Sequence, residues 1–570
     1  MEMTGAEAIL ACLKKEQVPV VFGYPGGAVL GLYDAIYKTK FPHILTGHEQ
    51  GAIHAADGYA RATGKVGVCI ATSGPGVCNM VTGIATAHMD SIPLVIISGQ
   101  VATSLIGQDA FQEADTAGIT TSITKYNYLV RRVENLPQVL KEAFYIARTG
   151  RPGPVLIDIV TDVFDAKLDF KYPESVHMLG YQGGLHPRRS DVERAAEALR
   201  RAHRPVIMAG GGVILSETAP ELTRLAEETG IPVVTTLMGK GAVPDSLPQN
   251  LGMLGMHGGY AANQAVSGCD LLLAFGVRFD ERSTAKASLF APAARIVHFN
   301  VEPGEINKII PVQVAVPGSL QESLPLLRQL VEPFAEECRQ AFAPWREQAE
   351  EMKREVPFSA HHCSGGISPE VALKEAAKRA PKDTIVVTDV GQHQMWAAQF
   401  FPTEQPRHFL TSGGLGTMGF GLPAALGAKV GEPDKTVLLI TGDGSILMNC
   451  QEFTTLPTYG IHVKTLVLRN GQLGMVRQLQ GLFRGGRYSQ TKLIHKPSMA
   501  AIAEAMGIPS RSISRPEELA EGLDFLFNTE DSALLEVTIP EDERVYPVVP
   551  GSKGLDQMIL GPEETEGGKP

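Results

Sequence analysis

Short apolar runs bounded by charge or glycine alternate along the chain with stretches of helical period. Residues 18–22, 66–71, 93–98 and 155–159 read as buried strands, as do 205–209, 231–235, 271–275 and 295–301, and then 384–388, 436–441 and 463–468. Continuous apolar runs of this length suit parallel strands covered on both faces. Strand and helix alternating three times over predict an α/β protein of three doubly wound parallel-sheet domains. They are expected over 1–165, 188–345 and 368–545, with a tail at 546–570 that is acidic and glycine-rich after Gly561 and disordered by composition. Residues 166–187, with Pro173, three glycines and Pro187, form one join, and a charged helix over 345–355 with a polar stretch over 359–366 forms the other. At the start, Thr4 and Glu7 have the spacing of a capping box that opens an amphipathic helix through Leu13.

The run 435–470 carries the sharpest chemical signal. The strand 436–441 leads straight into Gly442-Asp443-Gly444, then a helical segment through Met448, Gln451 and Glu452, and a second strand, 463–468, ends at Arg469-Asn470. Such a unit sets the carboxyl ends of two parallel strands side by side, so Asp443 and Asn470 are expected together at the rim where open α/β sheets bind ligands. A carboxylate and an amide oxygen beside a glycine turn that opens a helix suit Mg²⁺ holding a diphosphate, because Mg²⁺ takes a few hard oxygen ligands from protein and the rest from phosphates. A Gly-Asp-Gly without this setting would be a plain turn.

Composition narrows the class. A chain of 570 residues is too long for one core. Hydrophobic residues at 44% and charged residues at 20% describe an ordinary globular protein, and a net charge of −11 argues against nucleic-acid or anionic-membrane partners. The seven cysteines are scattered with no C-x-x-C pair, as expected of free thiols in a reducing cytosol. No apolar run approaches the length of a membrane span and the start has no signal-peptide core, so a cytoplasmic protein is expected.

Further glycine turns follow strands at Gly23-Tyr-Pro-Gly-Gly27, at Thr72-Ser-Gly-Pro-Gly76 with Asn79, at Gly210-Gly-Gly212 and at Gly413-Gly-Leu-Gly-Thr-Met-Gly419. Each is a place for close backbone approach to a ligand, and each is weak singly. Glu49, after a strand at 43–46, reads on its own as a solvated loop carboxylate. Met418 reads as core filler and His393 as a loop histidine.

Together with Ile446-Leu-Met-Asn-Cys-Gln-Glu452 and Leu473-Gly-Met-Val-Arg477, the motif resembles the large catalytic subunits of acetohydroxyacid synthase (acetolactate synthase), a family of thiamine diphosphate enzymes. The resemblance runs from Phe22 to Lys553 and changes the weighting of these residues. It implies Asp443, Asn470 and Gln472 as Mg²⁺ ligands, the last through its carbonyl. Gln392, His393, Gly416, Met418, Gly442, Gly444 and Ser445 become thiamine diphosphate contacts, with Met418 wedged between its two rings. Glu49, in His48-Glu49-Gln50, becomes the proton relay on the aminopyrimidine, and Gln100 lies near the active centre. Gly27, Lys125, Arg282 and Leu479 become substrate-side residues, Arg282 meeting the carboxylate of the second 2-oxo acid. The pyrimidine-binding, central flavin-binding and diphosphate-binding blocks would then be the three domains.

For the central block the resemblance implies a structural flavin adenine dinucleotide. Its contacts would be Arg151, Gly211, Thr236, Leu237, Leu254, Gly255, Met256, His257, Gly276, Val277, Arg278, Phe279, Asp280, Asn300, Val301 and Ser319. Asn300 and Ser319 stand where the family has aspartates, and a neutral acceptor makes the weaker bond, so weaker flavin binding is the expectation. Leu479 replaces a tryptophan that favours 2-oxobutanoate, and Val160-Thr161 replaces a Pro-Lys pair of the same channel. Both changes point to altered specificity or inhibitor response with catalysis kept.

The implied reaction decarboxylates pyruvate and ligates the hydroxyethyl unit to pyruvate or 2-oxobutanoate, the first common step toward branched-chain amino acids. The two ends of the cofactor are held by different subunits in this family, so a homodimer or tetramer is expected, with a small regulatory subunit as a further partner. A flavin-dependent oxidoreductase of the pyruvate oxidase type shares the three-block layout and stays as the rival from another reaction class. A related carboligase with a different acceptor is the nearer alternative; glyoxylate carboligase lacks the glutamate that stands here as Glu49. A non-enzymatic binding protein would not need Glu49, Met418, Asp443 and Asn470 together.

Overall fold

A computed structural model describes residues 2–358, 366–495 and 497–562. The polar stretch at 359–365, which includes Cys363, and the tail end at 563–570 lie outside the described residues.

The first block opens with β1 (Glu2–Thr4) and the predicted helix, Gly5–Lys15, whose capping box pairs Thr4 with Glu7 in both directions. It continues through β2 (Val21–Gly23), β3 (His43–Leu45), β4 (Gly67–Ala71), β5 (Leu94–Gln100), β6 (Tyr126–Val130) and β7 (Val155–Val160). β8 (Lys167–Asp169) lies in the expected join and pairs antiparallel with β1. The central block contains β9 (Pro205–Ala209), β10 (Val233–Thr235), β11 (Asn250–Met253), β12 (Leu271–Phe275), β13 (Arg295–Asn300) and β14 (Val314–Pro317). The third contains β15 (Ile385–Thr388), β16 (Phe409–Leu410), β17 (Val437–Gly442), β18 (Lys464–Arg469), β19 (Ser510–Ile513) and β20 (Ala533–Thr538).

Three six-stranded sheets result, parallel throughout, as the alternation of strand and helix predicted. The outer two share one topology: β3-β2-β4-β5-β7-β6 and β16-β15-β17-β18-β20-β19 follow the same path through their blocks. The central sheet runs β11-β10-β9-β12-β13-β14, which within its block is the order 3-2-1-4-5-6 of dinucleotide-binding sheets.

Several expectations are corrected. The strand at 18–22 begins only at Val21, because Pro19 has no N–H to give a ladder. The helical segment expected after Gly444 is broken into Asp443–Ile446, a 3₁₀ turn at Cys450–Phe453 and Thr455–Tyr459. Asn449 interrupts it by turning its amide onto the Gly419 carbonyl, 2.7 Å away. The helix expected as a join, Ala343–Glu355, belongs to the central block: it buries Trp345, whose indole N–H reaches the Pro205 carbonyl at 3.0 Å.

The first and third blocks meet along two helices, Glu49–Thr63 and Gly421–Gly431. Backbone touches backbone there: a Cβ on Gly58 would stand 2.0 Å from the Ala424 carbonyl oxygen and one on Gly427 1.8 Å from that of Ala55. Beside this seam Arg61 is buried with Asp57 and Asp90, and its guanidinium also donates to the Thr411 carbonyl at 2.7 Å. Asp90 in turn accepts from the amides of Gly413 (3.1 Å) and Gly414 (2.7 Å), so the seam fixes the turn that precedes Met418. Gly427→Ala should therefore lower the thermal midpoint, with an overpacking cost of about 1–3 kcal/mol. Gly268→Ala, in a helix where the nearest atom to a new Cβ is a Trp345 carbon at 3.7 Å, should be neutral or stabilising by roughly 0.5–1 kcal/mol. Thermal unfolding of the two variants side by side checks both.

Candidate functional site

β17 and β18 are neighbours, with Gly442 opposite Leu468, so their carboxyl ends deliver Asp443 and Asn470 to one place. Asp443 opens a short helix, and its Oδ2 accepts from the Gly471 amide at 2.8 Å. Asn470 Oδ1 accepts from the Gln472 amide at 3.0 Å, and its Nδ2 donates to Gln392 Oε1 at 3.3 Å. Burial raises the Asp443 carboxyl above its ordinary value, a penalty that a bound cation would reverse.

These residues line a cavity of about 60 Å³, with Gln392, His393, Met418, Gly442, Gly444, Ser445 and Gln472 also in its wall. His393 Nε2 and Gln472 Oε1 are buried there without a hydrogen-bond partner. Burial keeps the His393 imidazole neutral, pulled down to about 3. Unpaired buried polar atoms are costly and mark the place of a missing polar group. The oxygen-rich donor set beside them fits a hard cation and its anion, so Asp443, Asn470 and Gln472 could hold Mg²⁺, and Gln392, His393 and Ser445 a diphosphate.

One contributor left no mark in the reading of motifs. Asp389, directly after β15, is fully buried; its Oδ1 accepts from the amides of Val390 and Gly419, both at 2.9 Å, and burial pushes it up to about 6. It fixes the turn after Met418. The available signal was its position, one residue past an apolar strand, which parallels Asp443 after β17.

In the first block, Glu49 is no loop residue. It begins the helix Glu49–Thr63, behind His48, whose ring nitrogen accepts from the Gln50 amide at 3.1 Å. The residue is 9% exposed, and its Oε2 accepts from Asn79 Nδ2 at 3.0 Å. Gly27 stands in the open 3₁₀ turn after Gly26, where a Cβ would meet nothing within 4 Å.

Gln100 is held on every side. Its Nε2 donates to the Ala114 carbonyl (2.8 Å) and to Asp158 Oδ2 (3.0 Å), and its Oε1 accepts from the Val101 amide (2.9 Å). Thr161, part of the altered channel pair, donates to the Gln100 carbonyl at 2.8 Å. Asp158, hidden inside an apolar run, also accepts from Ser98 Oγ at 2.6 Å. Lys125 gives its ammonium protons to the carbonyls of Ile146 (2.5 Å) and Thr149 (2.7 Å) and to the Tyr181 hydroxyl (3.1 Å), and burial lowers it to about 8. None of these residues lines the cavity of Asp443, whose walls all come from within 390–476.

The second cavity, about 570 Å³, lies where the central strand order reverses, between β9 and β12. The glycine turns after those strands press together: a Cβ on Gly210 would fall 2.3 Å from the Gly276 carbonyl oxygen. Arg151, Gly211, Thr236, Leu237, Leu254, Met256, His257, Gly276, Val277, Arg278, Asp280, Arg282, Asn300, Val301 and Ser319 line it. Gly416 lines this cavity too, and not the one at Asp443. Gly255 and Phe279 stand behind the wall, Gly255 with its amide on Asn263 Oδ1 at 2.8 Å and Phe279 packed edge-on against His298 and Phe290. Leu479, half exposed on the helix Gly474–Phe483, lines neither cavity, although Met475 and Val476 of that helix line the small one.

The large cavity could hold a nucleotide. Arg278 faces it with no ion-pair partner among the described residues, while Arg151 pairs with Glu305 at 3.0 Å. His257 Nε2 is buried in the wall and unpartnered. Asn300 spends its amide on the backbone, Nδ2 on the Val277 carbonyl (2.8 Å) and Oδ1 on the Glu302 amide (2.9 Å). Ser319 caps the helix Leu320–Val331 through the Gln321 amide at 3.2 Å. Neither supplies the charged acceptor that an aspartate would.

Comparison with known families matches residues 3–119 to the N-terminal TPP binding domain of thiamine pyrophosphate enzymes, 192–327 to their central domain and 389–537 to their C-terminal TPP binding domain. The three sheets are thus those of a thiamine pyrophosphate enzyme. The chain is 44% identical to the acetolactate synthase isozyme 2 large subunit of Escherichia coli K12 over 557 residues, covering 98% of this chain and 99% of the relative. It is 45% identical to the acetolactate synthase large subunit of Corynebacterium glutamicum over 568 residues (98% and 91%) and 42% identical to that of Haemophilus influenzae over 569 (99% and 99%). The chain belongs to the acetolactate synthase large-subunit family.

Asp158 gives a pH test of the packing around Gln100. Burial lifts its carboxyl from 3.8 to about 6, so its contribution to stability is full below pH 4 and is lost as pH rises through 6. Asp158→Asn removes that dependence. Between about pH 4 and 7 the variant should gain on the wild type by up to roughly 3 kcal/mol, read from thermal midpoints across that range.

Proposed function

We propose that the chain is the catalytic subunit of an acetolactate synthase that uses thiamine diphosphate, Mg²⁺ and a structural flavin adenine dinucleotide. The observation that carries the reading is the small cavity. Asp443 and Asn470 meet there at the ends of adjacent strands, beside the unpartnered His393 Nε2 and Gln472 Oε1, in a chain of this family. Thiamine diphosphate, when bound, supplies the electron sink that lets pyruvate lose carbon dioxide and lets the remaining two-carbon unit add to a second 2-oxo acid.

The chain's own residues have separable tasks. Asp443, Asn470 and the Gln472 carbonyl hold the metal, and Gln392 and His393 meet the diphosphate. Met418, on a turn fixed from Asp90 on one side and Asp389 on the other, supplies an adaptable apolar support for the rings. Glu49 takes and returns a proton at its carboxylate, with Asn79 fixing one oxygen. Arg282, at the edge of the large cavity, offers a guanidinium to the carboxylate of the acceptor acid. The flavin would occupy the large cavity, its diphosphate near Arg278, which suits the 3-2-1-4-5-6 strand order.

Glu49 does not line the cavity that contains Asp443, which supports a homodimer or larger assembly in which one copy's first block completes another's third. A small regulatory subunit, implied by the large-subunit names of the relatives, is a further partner. Among the described residues no helix is long and apolar enough to cross a membrane, in keeping with a cytoplasmic enzyme.

The test is anaerobic product analysis with Mg²⁺, thiamine diphosphate, pyruvate and 2-oxobutanoate in competition. Acetolactate together with acetohydroxybutanoate is the expected result; acetate formed only with an electron acceptor present would assign the chain to flavin-dependent oxidation instead. Glu49→Gln should lower kcat by about 10²–10⁴-fold while thiamine diphosphate still binds, as shown by calorimetry. Leu479→Trp should shift the product ratio toward acetohydroxybutanoate by about tenfold or more, the scale on which one pocket contact discriminates a methylene.

A further inference from the structure

The segment 543–549 runs from one cavity to the other, and two glutamine side chains, Gln478 and Gln392, fasten it at the small one. Gln478, 3% exposed, lies on the buried face of the helix Gly474–Phe483. Its Oε1 accepts from the Val545 amide at 2.8 Å and from Gln392 Nε2 at 3.0 Å, and its Nε2 donates to the Val545 carbonyl at 2.9 Å. Val545 presents one donor and one acceptor, so only one orientation of the Gln478 amide satisfies both. Gln392 Nε2 also donates to the Glu543 carbonyl at 2.8 Å, and Gln392 Oε1 accepts from Asn470. The diphosphate contact and the metal ligand are thereby tied to the segment's near end.

The far end is tied to the central block. The Val549 amide donates to the Met256 carbonyl at 2.8 Å, and Gln399 Nε2 bridges the carbonyls of His257 (3.0 Å) and Tyr546 (3.1 Å). His257 Nδ1 lies 3.2 Å from the Pro547 carbonyl, which can only accept, so that nitrogen carries the proton. His257 Nε2 is then a buried acceptor without a partner, in a residue that lines the large cavity.

We infer that Gln478 is a positioning residue that couples the two cavities. A molecule in the large cavity that engages His257 and Met256 holds the segment 543–549 in place. Through Gln478 the segment then holds Gln392 and Asn470 in the geometry that binds the metal–diphosphate. The inference rests on the proposed occupants, thiamine diphosphate with Mg²⁺ in the small cavity and flavin adenine dinucleotide in the large. Any such coupling is reciprocal: each ligand must tighten the other by the same factor.

The full-length protein is titrated with thiamine diphosphate at saturating Mg²⁺, with and without flavin adenine dinucleotide, and then with flavin with and without thiamine diphosphate. Calorimetry reads the affinities, and the fluorescence of Trp396, a residue of the small cavity's wall, gives a second reading. In the wild type each ligand is expected to tighten the other about tenfold, inside the range usual for coupled sites. In Gln478→Leu both ligands should still bind, but the factor should fall severalfold, with only the Gln392–Glu543 bond left to carry it. Gln478→Glu, nearly the same shape but unable to donate to the Val545 carbonyl, should do likewise and serves if the leucine variant fails to fold. A residue that only supported the fold would weaken both ligands and leave the factor unchanged, so an unchanged factor in either variant overturns the inference, as does a wild-type factor of one. A wild type that binds neither ligand overturns the proposed function, and the coupling with it.

Discussion

Polar side chains buried at the carboxyl ends of parallel strands are the constraint on which the site depends. A carboxylate held out of water without a counter-charge is costly, and those here are offset by backbone amides. Gly471 serves Asp443, and Val390 and Gly419 serve Asp389; Asp90, at a helix end and paired with Arg61, is served in addition by Gly413 and Gly414. Each carboxylate thereby fixes a glycine turn. The turns bring backbone N–H groups close to where a phosphate would sit, and Met418 is carried between two of them.

The sheets distribute these tasks. Two of them share a strand order and hold Glu49 and Asp443 at their respective strand ends, while the third has the order of dinucleotide-binding sheets and opens its cavity at the reversal between β9 and β12. The helices Glu49–Thr63 and Gly421–Gly431 lock the outer blocks together through glycine contacts, and the segment 543–549 runs from the central block back to the third. In the proposed reading the chain carries halves of sites that assembly completes.

The fold was legible in the sequence where strands are apolar on both faces. Central strands such as β5, β9, β12 and β17 are continuous apolar runs and were found within a residue or two. Edge strands other than β3 were missed for a physical reason: β6 is half exposed and mixes polar with apolar residues, and β16 is only Phe409–Leu410. β20 is fully interior, yet Glu536 interrupts its apolar pattern; that carboxylate is buried by Arg469, Ser512 and the Met499 amide, partners distant in sequence. The same limit applies to the site. Asp443 and Asn470 could be placed because adjacent parallel strands force them together. Asp158, Asp389 and Gln478 act through partners that only the folded chain brings near, and no local spacing announces them.

The claim that ties these parts together is that Glu49 of one copy and Asp443 of another serve one centre. Mixing purified Glu49→Gln and Asp443→Asn proteins, each inactive alone, and allowing their subunits to exchange tests it directly. If sites form between copies, random re-pairing of dimers leaves one intact site in each mixed dimer, and about a quarter of the wild-type acetolactate formation should return. If each chain builds its own site, every site carries one lesion whatever the pairing, and no activity would return.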